Sequence, residues 1–132
     1  MANKIRVVTL KANSNELVVN EEFEHSLENM QKSVGGYIEA ITLSHDPKTD
    51  RMVTVWLNEE GKIRGLQPNF AMIQKSDNKL LDVIVGDVLI TSTDEEGSTV
   101  GLTDEELELV KEQFNMNFGL ITPVFVEKAL FV

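Results

Sequence analysis

The sequence predicts an α+β domain, a largely antiparallel sheet of about five strands carrying two main helices. Three observations predict it. Short runs rich in Val, Ile, Thr and aromatic residues recur between turn signals, as strands require. Two other segments carry apolar residues at helical spacing. The 132 residues contain no linker composition and no long-period repeat, so residues 1–132 read as a single domain.

KIRVVTLKA (residues 4–12) reads as the first strand and ELVVN (16–20) as the second, with their turn at 13–15. A helix over 21–34 follows, because Phe23, Leu27, Met30 and Val34 are spaced 4, 3 and 4 apart. Glu21 and Glu22 stand at its start, where the macrodipole favours anions, and Gly35 and Gly36 stop it. YIEAITLS (37–44) and RMVTVWLN (51–58) pair as strands around the loop HDPKTD. KIRGL (62–66) then reads as a short return strand and QPNFAMIQK (67–75) as a helical turn. LLDVIVGDVLITST (80–93) reads as one central strand, with Gly86 marking a bulge or a close approach. The second helix, 103–115, opens with the capping box Thr103–Glu106 and a staple between Leu102 and Leu107. Its core stripe is Leu107, Val110 and Phe114. The tail, 119–132, reads as an edge strand interrupted at Pro123 or as a partner-binding segment. Phe125, Leu130 and Phe131 in that tail favour docking on a second subunit, hence a homo-oligomer, over docking on the chain's own sheet.

Composition excludes several functions. With no cysteine, disulfides, thiolate metal sites and cysteine nucleophiles are ruled out. A net charge of −10 argues against direct nucleic-acid binding, which needs a basic face. No run approaches the ~18 apolar residues of a membrane span, and the N-terminal residues hold no signal-peptide block. The expected location is cytoplasmic, with no membrane partner. His25 and His45 lack metal-ligand spacing, GKIRG lacks both ends of a P-loop, and no GxSxG occurs. No catalytic residue, metal or cofactor is therefore assigned.

Two acidic turns, NEEG (58–61) and DEEG (94–97), carry Asn or Asp first and Gly fourth. That is a type I turn pattern, and neither supplies the ligand spacing of a calcium loop. Both read as hairpin turns. The flanks of the first differ from the rest of the chain. Residues 48–79 hold six basic and four acidic residues, so the segment is +2 and the remainder −12. If 62–66 is a strand, Lys62 and Arg64 share a face. Trp56 and Tyr37, the only tryptophan and tyrosine, fall on nearby strands. Cations beside aromatics can hold an anionic, stackable ligand such as a nucleotide. The expected ligand-binding residues are Tyr37, Trp56, Lys62, Arg64 and Asn69, the last reading a polar edge from a loop after Pro68. The plainer alternative puts Trp56 in the core and leaves the cations as solubilising charge.

VGGYIEAITL, NEEGKIRGLQPN, DVIVGDVLI and LTDEELELV, in that order over residues 4–117, resemble a family of small proteins known mainly as a domain of unknown function. Its genes are carried largely by bacteriophages, prophages and plasmids. The chain departs from it in a longer stretch before the first helix and in the tail beyond 117. The matching positions are Gly35, Gly36, Tyr37, Glu39, Asn58, Gly61, Gly65, Asn69 and Gly86. The resemblance implies a mobile-element setting and no established chemistry. Together with the basic segment it leads to the expectation of a phage or mobile-element accessory protein. Such a protein would be a non-catalytic module that sequesters a small nucleotide-derived anion in the host cytoplasm to counter defence. The alternative is an acidic protein-binding inhibitor of a host nuclease or regulator, and a third reading is an enzyme with an unrecognised site.

Overall fold

Val7 and Val8 are adjacent in sequence and both fully buried. Successive strand residues point to opposite faces, so the sheet that carries them has to be covered on both sides. The computed structural model, which describes residues 3–12, 16–114, 122–126 and 130–131, shows how. The elements are β1 Asn3–Leu10, β2 Leu17–His25, α1 Leu27–Val34, β3 Ile38–Asp46, β4 Arg51–Asn58, β5 Pro68–Gln74, β6 Lys79–Val85, β7 Val88–Thr93, β8 Thr99–Val100, α2 Asp104–Gln113, β9 Thr122–Val126 and β10 Leu130–Phe131. The fold is mainly β, with two helices.

The larger sheet runs β10-β3-β4-β7-β1-β2, with β8 also on β7, and all its pairs are antiparallel. On one face Val8, Leu10, Val53, Val55, Val88 and Ile90 pack in one core with Phe70, Met72 and Ile84 of the smaller sheet and with Leu107 and Val110 of α2. On the other, Ile5, Val7 and Leu89 pack with Phe23 and with Met30 of α1, and Ile38 and Trp56 lean against them. The smaller sheet, β6-β5-β9, has β9 parallel to β5. Fully burying a side chain such as Phe70 contributes about 2–3 kcal/mol, and Phe114 adds an edge-to-face ring contact at 5.0 Å.

Four expectations change. The helix predicted for 21–34 begins only at Leu27. Register pairs Phe23, Glu24 and His25 with Ile5, Lys4 and Asn3, so β2 consumes the first turn of the apparent stripe. Phe23 is buried as a strand residue, Leu27 is 60% exposed, and only Met30 and Val34 face the core from α1. Glu21 and Glu22 are strand residues, and the N-cap is Ser26, whose Oγ accepts the Asn29 N–H at 3.1 Å. The 67–75 segment is strand β5 rather than a helical turn: Phe70 and Met72 alternate inward, and pairing on both edges decides its conformation. The 80–93 run is two strands in different sheets, broken at Gly86. KIRGL forms no strand, so NEEG does not close a hairpin. The DEEG turn does join the paired strands β7 and β8. The turn predicted at 13–15 lies outside the described residues.

The capping box of α2 is present, and its Glu106 does more than cap. Its carboxylate accepts from Thr103 N (2.9 Å), Ser92 Oγ (2.8 Å) and the Arg51 guanidinium (3.0 Å), tying the helix to β7 and β4. Burial opposes ionisation of this carboxyl most strongly, but the bonds from Arg51, the Thr103 N–H and Ser92 hold it below the ordinary carboxylate range. In the tail, β9 pairs with β5 inside the chain, and Pro123 is accommodated on an edge strand.

Candidate functional site

After β4 the chain must leave the large sheet and enter the small one, and residues 58–67 make that passage. Asn58 starts it: its carbonyl accepts the Gly61 N–H (3.1 Å) and its Oδ1 the Glu60 N–H (2.8 Å), the expected turn. One helical turn follows, closed by Leu66 N–H to Gly61 O (2.9 Å) and Gly65 N–H to Lys62 O (3.2 Å), with Gly65 at φ +67. This is a Schellman ending, which needs a left-handed residue at its penultimate position. The return strand expected after the NEEG turn would put Lys62 and Arg64 on one face and Ile63 on the other. The turn instead leaves Ile63 in solvent.

The passage docks against the C-terminal end of α1. Asn58 Nδ2 donates to Val34 O (3.2 Å) and Arg64 Nη1 to Gly35 O (3.0 Å), so the terminal carbonyls of the helix gain side-chain donors, one of them cationic. The close approach requires glycine at 36, where a Cβ would stand 2.9 Å from Asn58 Nδ2 and 3.3 Å from Arg64 Nη1. Gly86, at φ +80, lets the β6–β7 junction lie against Leu66, whose Cδ1 a Cβ would meet at 2.8 Å. Asn69 braces this junction from behind, donating to Gly86 O (2.9 Å) and Leu10 O (3.1 Å).

Between these parts lies a cleft of about 330 Å³, lined in part by Lys32, Ser33, Asn58, Arg64, Gln67 and Asp87. It adjoins a second hollow of about 260 Å³, which shares Lys32, Ser33 and Asp87 and adds Lys11. Lys11, Lys32 and Arg64 thus line two neighbouring hollows from the β1 end, from α1 and from the passage, with Lys32 common to both and paired with Glu28 at 3.3 Å. Asp87 stands among them, its Oδ1 accepting the Ala12 N–H at 3.0 Å.

Of the expected ligand-binding residues, Arg64 lines the cleft. Asn69 is on β5, buried behind the wall with its amide donors committed, rather than in an open loop. Tyr37 is 66% exposed just past Gly36, and its carbonyl accepts the Glu59 N–H. Trp56 packs on the α1 side of the sheet and donates its indole N–H to Thr91 Oγ1 at 2.9 Å. Lys62 pairs with Asp82 of β6 and shares no strand face with Arg64. Lys11, Lys32, Ser33, Gln67 and Asp87 were not anticipated. No local spacing links them, and only Gly86–Asp87, a turn signal inside an apolar run, pointed to the junction.

Among the described residues no group of three His, Cys, Asp or Glu could hold a metal ion. No helix there is long and apolar enough to cross a membrane. Fold and cleft define a small, mainly β domain with two helices and a polar recess at the joint between its sheets. The chain belongs to the family described as Domain of unknown function (DUF3846), whose model matches residues 5–115. Comparison with curated proteins and with solved structures gives no match.

Proposed function

We propose that the chain is a non-catalytic binding module that holds a small anionic ligand in the cleft beside the end of α1. One observation supports this above others: in a chain of net charge −10, three cations from separate parts of the chain line two hollows that share Lys32, Ser33 and Asp87. Convergent cations in a walled recess attract an anion more strongly than the same charges spread over a surface. Arg64 supplies a planar fork suited to a phosphate, Lys32 and Lys11 add point charge, and Asp87 and Gln67 offer acceptors to hydroxyl or amino groups. Tyr37, exposed one residue beyond Gly36, offers a flat face on which a base could stack.

A nucleotide-derived ligand has this combination of anion, hydroxyls and flat ring. The resemblance to proteins carried by phages and plasmids supports a role in sequestering such a molecule from host defence. Titration calorimetry of refolded, ligand-free protein against mono-, di- and cyclic nucleotides tests the reading. Saturable heat from at least one of them, reduced about tenfold or more in affinity by Arg64→Ala, is the expected result. No heat from any nucleotide would end it, and turnover of one would replace it with an enzyme.

A further inference from the structure

A second and larger cleft, about 760 Å³, lies between the tip of the β3–β4 hairpin and the N-terminal half of α2. It shares no lining residue with the cation-lined recess. Its chemistry is the reverse. Val53, Pro47 and Leu109 give it an apolar part, with Val53 buried and Leu109 packed on the main core. Arg51 and Glu106 also line it, but they neutralise each other at 3.0 Å. Asp104 is paired in the same way, with Arg6 at 2.6 Å, which leaves the carboxylates of Asp46 and Glu105 at the cleft. A shallow depression of about 400 Å³ continues the surface along α2, where Glu112 and Glu108, the latter 3.6 Å from the exposed Lys111, extend the acidic rim past Leu109.

Three features decide what this surface can receive. The apolar part between carboxylates suits a side chain such as leucine, because burying it there removes two apolar surfaces from water together. The acidic rim repels anions, which excludes phosphates and nucleic acid from this side of the molecule. No group of three ligating side chains is present among the described residues to fix a metal ion. What remains complementary is a chain segment with apolar anchors flanked by cations.

We propose that the cleft between the β3–β4 hairpin and α2 is a docking site for a basic, leucine-bearing segment of another protein. The apolar anchor sits on Leu109 and Val53, and flanking lysine or arginine residues meet Asp46, Glu105 and Glu108. Because the two clefts share no residue, failure here leaves the anion site untouched, and the reverse also holds.

Fluorescence anisotropy tests the proposal, using the full chain and a labelled peptide of a dozen residues built from lysine and leucine at helical spacing. A matched peptide with serine in place of leucine reports charge alone. The lysine–leucine peptide is expected to bind, and the lysine–serine peptide to bind about tenfold more weakly. Glu105→Lys with Glu108→Lys, both on exposed positions, should weaken the first peptide about tenfold. Glu22→Lys with Glu24→Lys, exposed on β2, makes the same change in net charge and should leave binding within about twofold. Thermal melts show that each double variant is folded. Equal losses in the two double variants, or equal binding of the two peptides, would overturn the proposal by reducing it to bulk charge. A dimer that dissociates on Glu105→Lys with Glu108→Lys, seen by sedimentation, would also overturn it, because the occupant would then be a second copy.

Discussion

At the end of α1 the joint is made by side-chain donors on backbone carbonyls and by close backbone approach. Helix carbonyls accept from Asn58 and Arg64, glycines at 36 and 86 permit the close approach, and the polar side chains around the recess stay accessible. At the start of α2 the joint is made by side chains. Glu106 is 15% exposed and Arg51 23%, and between them they bond Ser92, the Thr103 N–H and Gly101 O. The first joint fixes shape with exposed cations at its edge, Lys32 beside Glu28 at 3.3 Å and Arg64 on Gly35 O. The second consumes its charge in holding a helix to a sheet. The two should therefore respond oppositely to mutation: geometry-breaking changes cost stability at the first, and charge-breaking changes cost stability at the second.

The largest effect should come from Glu106→Ala. It removes the capping-box acceptor and leaves Arg51 partly buried without its partner, a loss of about 3 kcal/mol for a pair that retains some solvent. A urea midpoint equivalent to a change below about 0.5 kcal/mol would break the comparison. The same group sets a pH limit. Its folded carboxyl lies below the ordinary range, so its contribution is present above the unfolded pKa and is lost as pH falls through the lowered folded value. Glu106→Gln should be less stable near neutrality, and its deficit should shrink in acid. A constant deficit from neutral to strongly acidic pH would show that the lost contact is not ionic.

The contrast also explains what could be read in the sequence. The α2 end was legible because a capping box is a local pattern: Thr103, Glu106 and Leu107 lie within five positions. What was missed there is Arg51, fifty-five positions from Glu106 and brought to it only by the sheet. At the other joint the glycines were visible but their geometry was not. Gly86 stood in a β-branched run that favours one strand, and nothing local shows that the chain changes sheets there. Phe23 fell at helical spacing from Leu27 by coincidence, since pairing with Ile5 keeps it in β2. Tertiary pairing outweighed local periodicity in both cases.

Next in size is Gly86→Ala, which combines a left-handed backbone with a Cβ only 2.8 Å from Leu66 Cδ1. About 2–3 kcal/mol is expected. Gly97→Ala is its control: φ is +85 but nothing lies within 4 Å of the added Cβ, so only the backbone cost of about 1 kcal/mol applies. Equal losses would mean that packing against Leu66 contributes nothing to the joint. Thr103→Ala should follow at about 1 kcal/mol by chemical denaturation. It removes the hydroxyl that accepts the Glu106 N–H but leaves the ionic anchor, so a loss as large as that of Glu106→Ala would contradict the division between them.

The smallest expected effect on stability is the most informative about function. Arg64 is exposed and makes one hydrogen bond to the helix end, at 3.0 Å to Gly35 O. Exposed contacts of this kind contribute little, so Arg64→Ala should change stability by about 0.5 kcal/mol or less. Gly36→Ala acts on the same spot in the opposite sense, pressing a Cβ against Asn58 Nδ2 at 2.9 Å while leaving every cation in place. It should cost more stability than Arg64→Ala, because Asn58 is buried and holds both the turn and the helix end. A cleft that serves to hold an anion separates the two variants: Arg64→Ala stays folded and loses the ligand, whereas Gly36→Ala loses stability first. Differential scanning calorimetry of both proteins, free and with any nucleotide found to bind, measures the two quantities together. If Arg64→Ala proved the more destabilising of the pair, Arg64 would be part of the scaffold, and the proposed anion site would lose its central group.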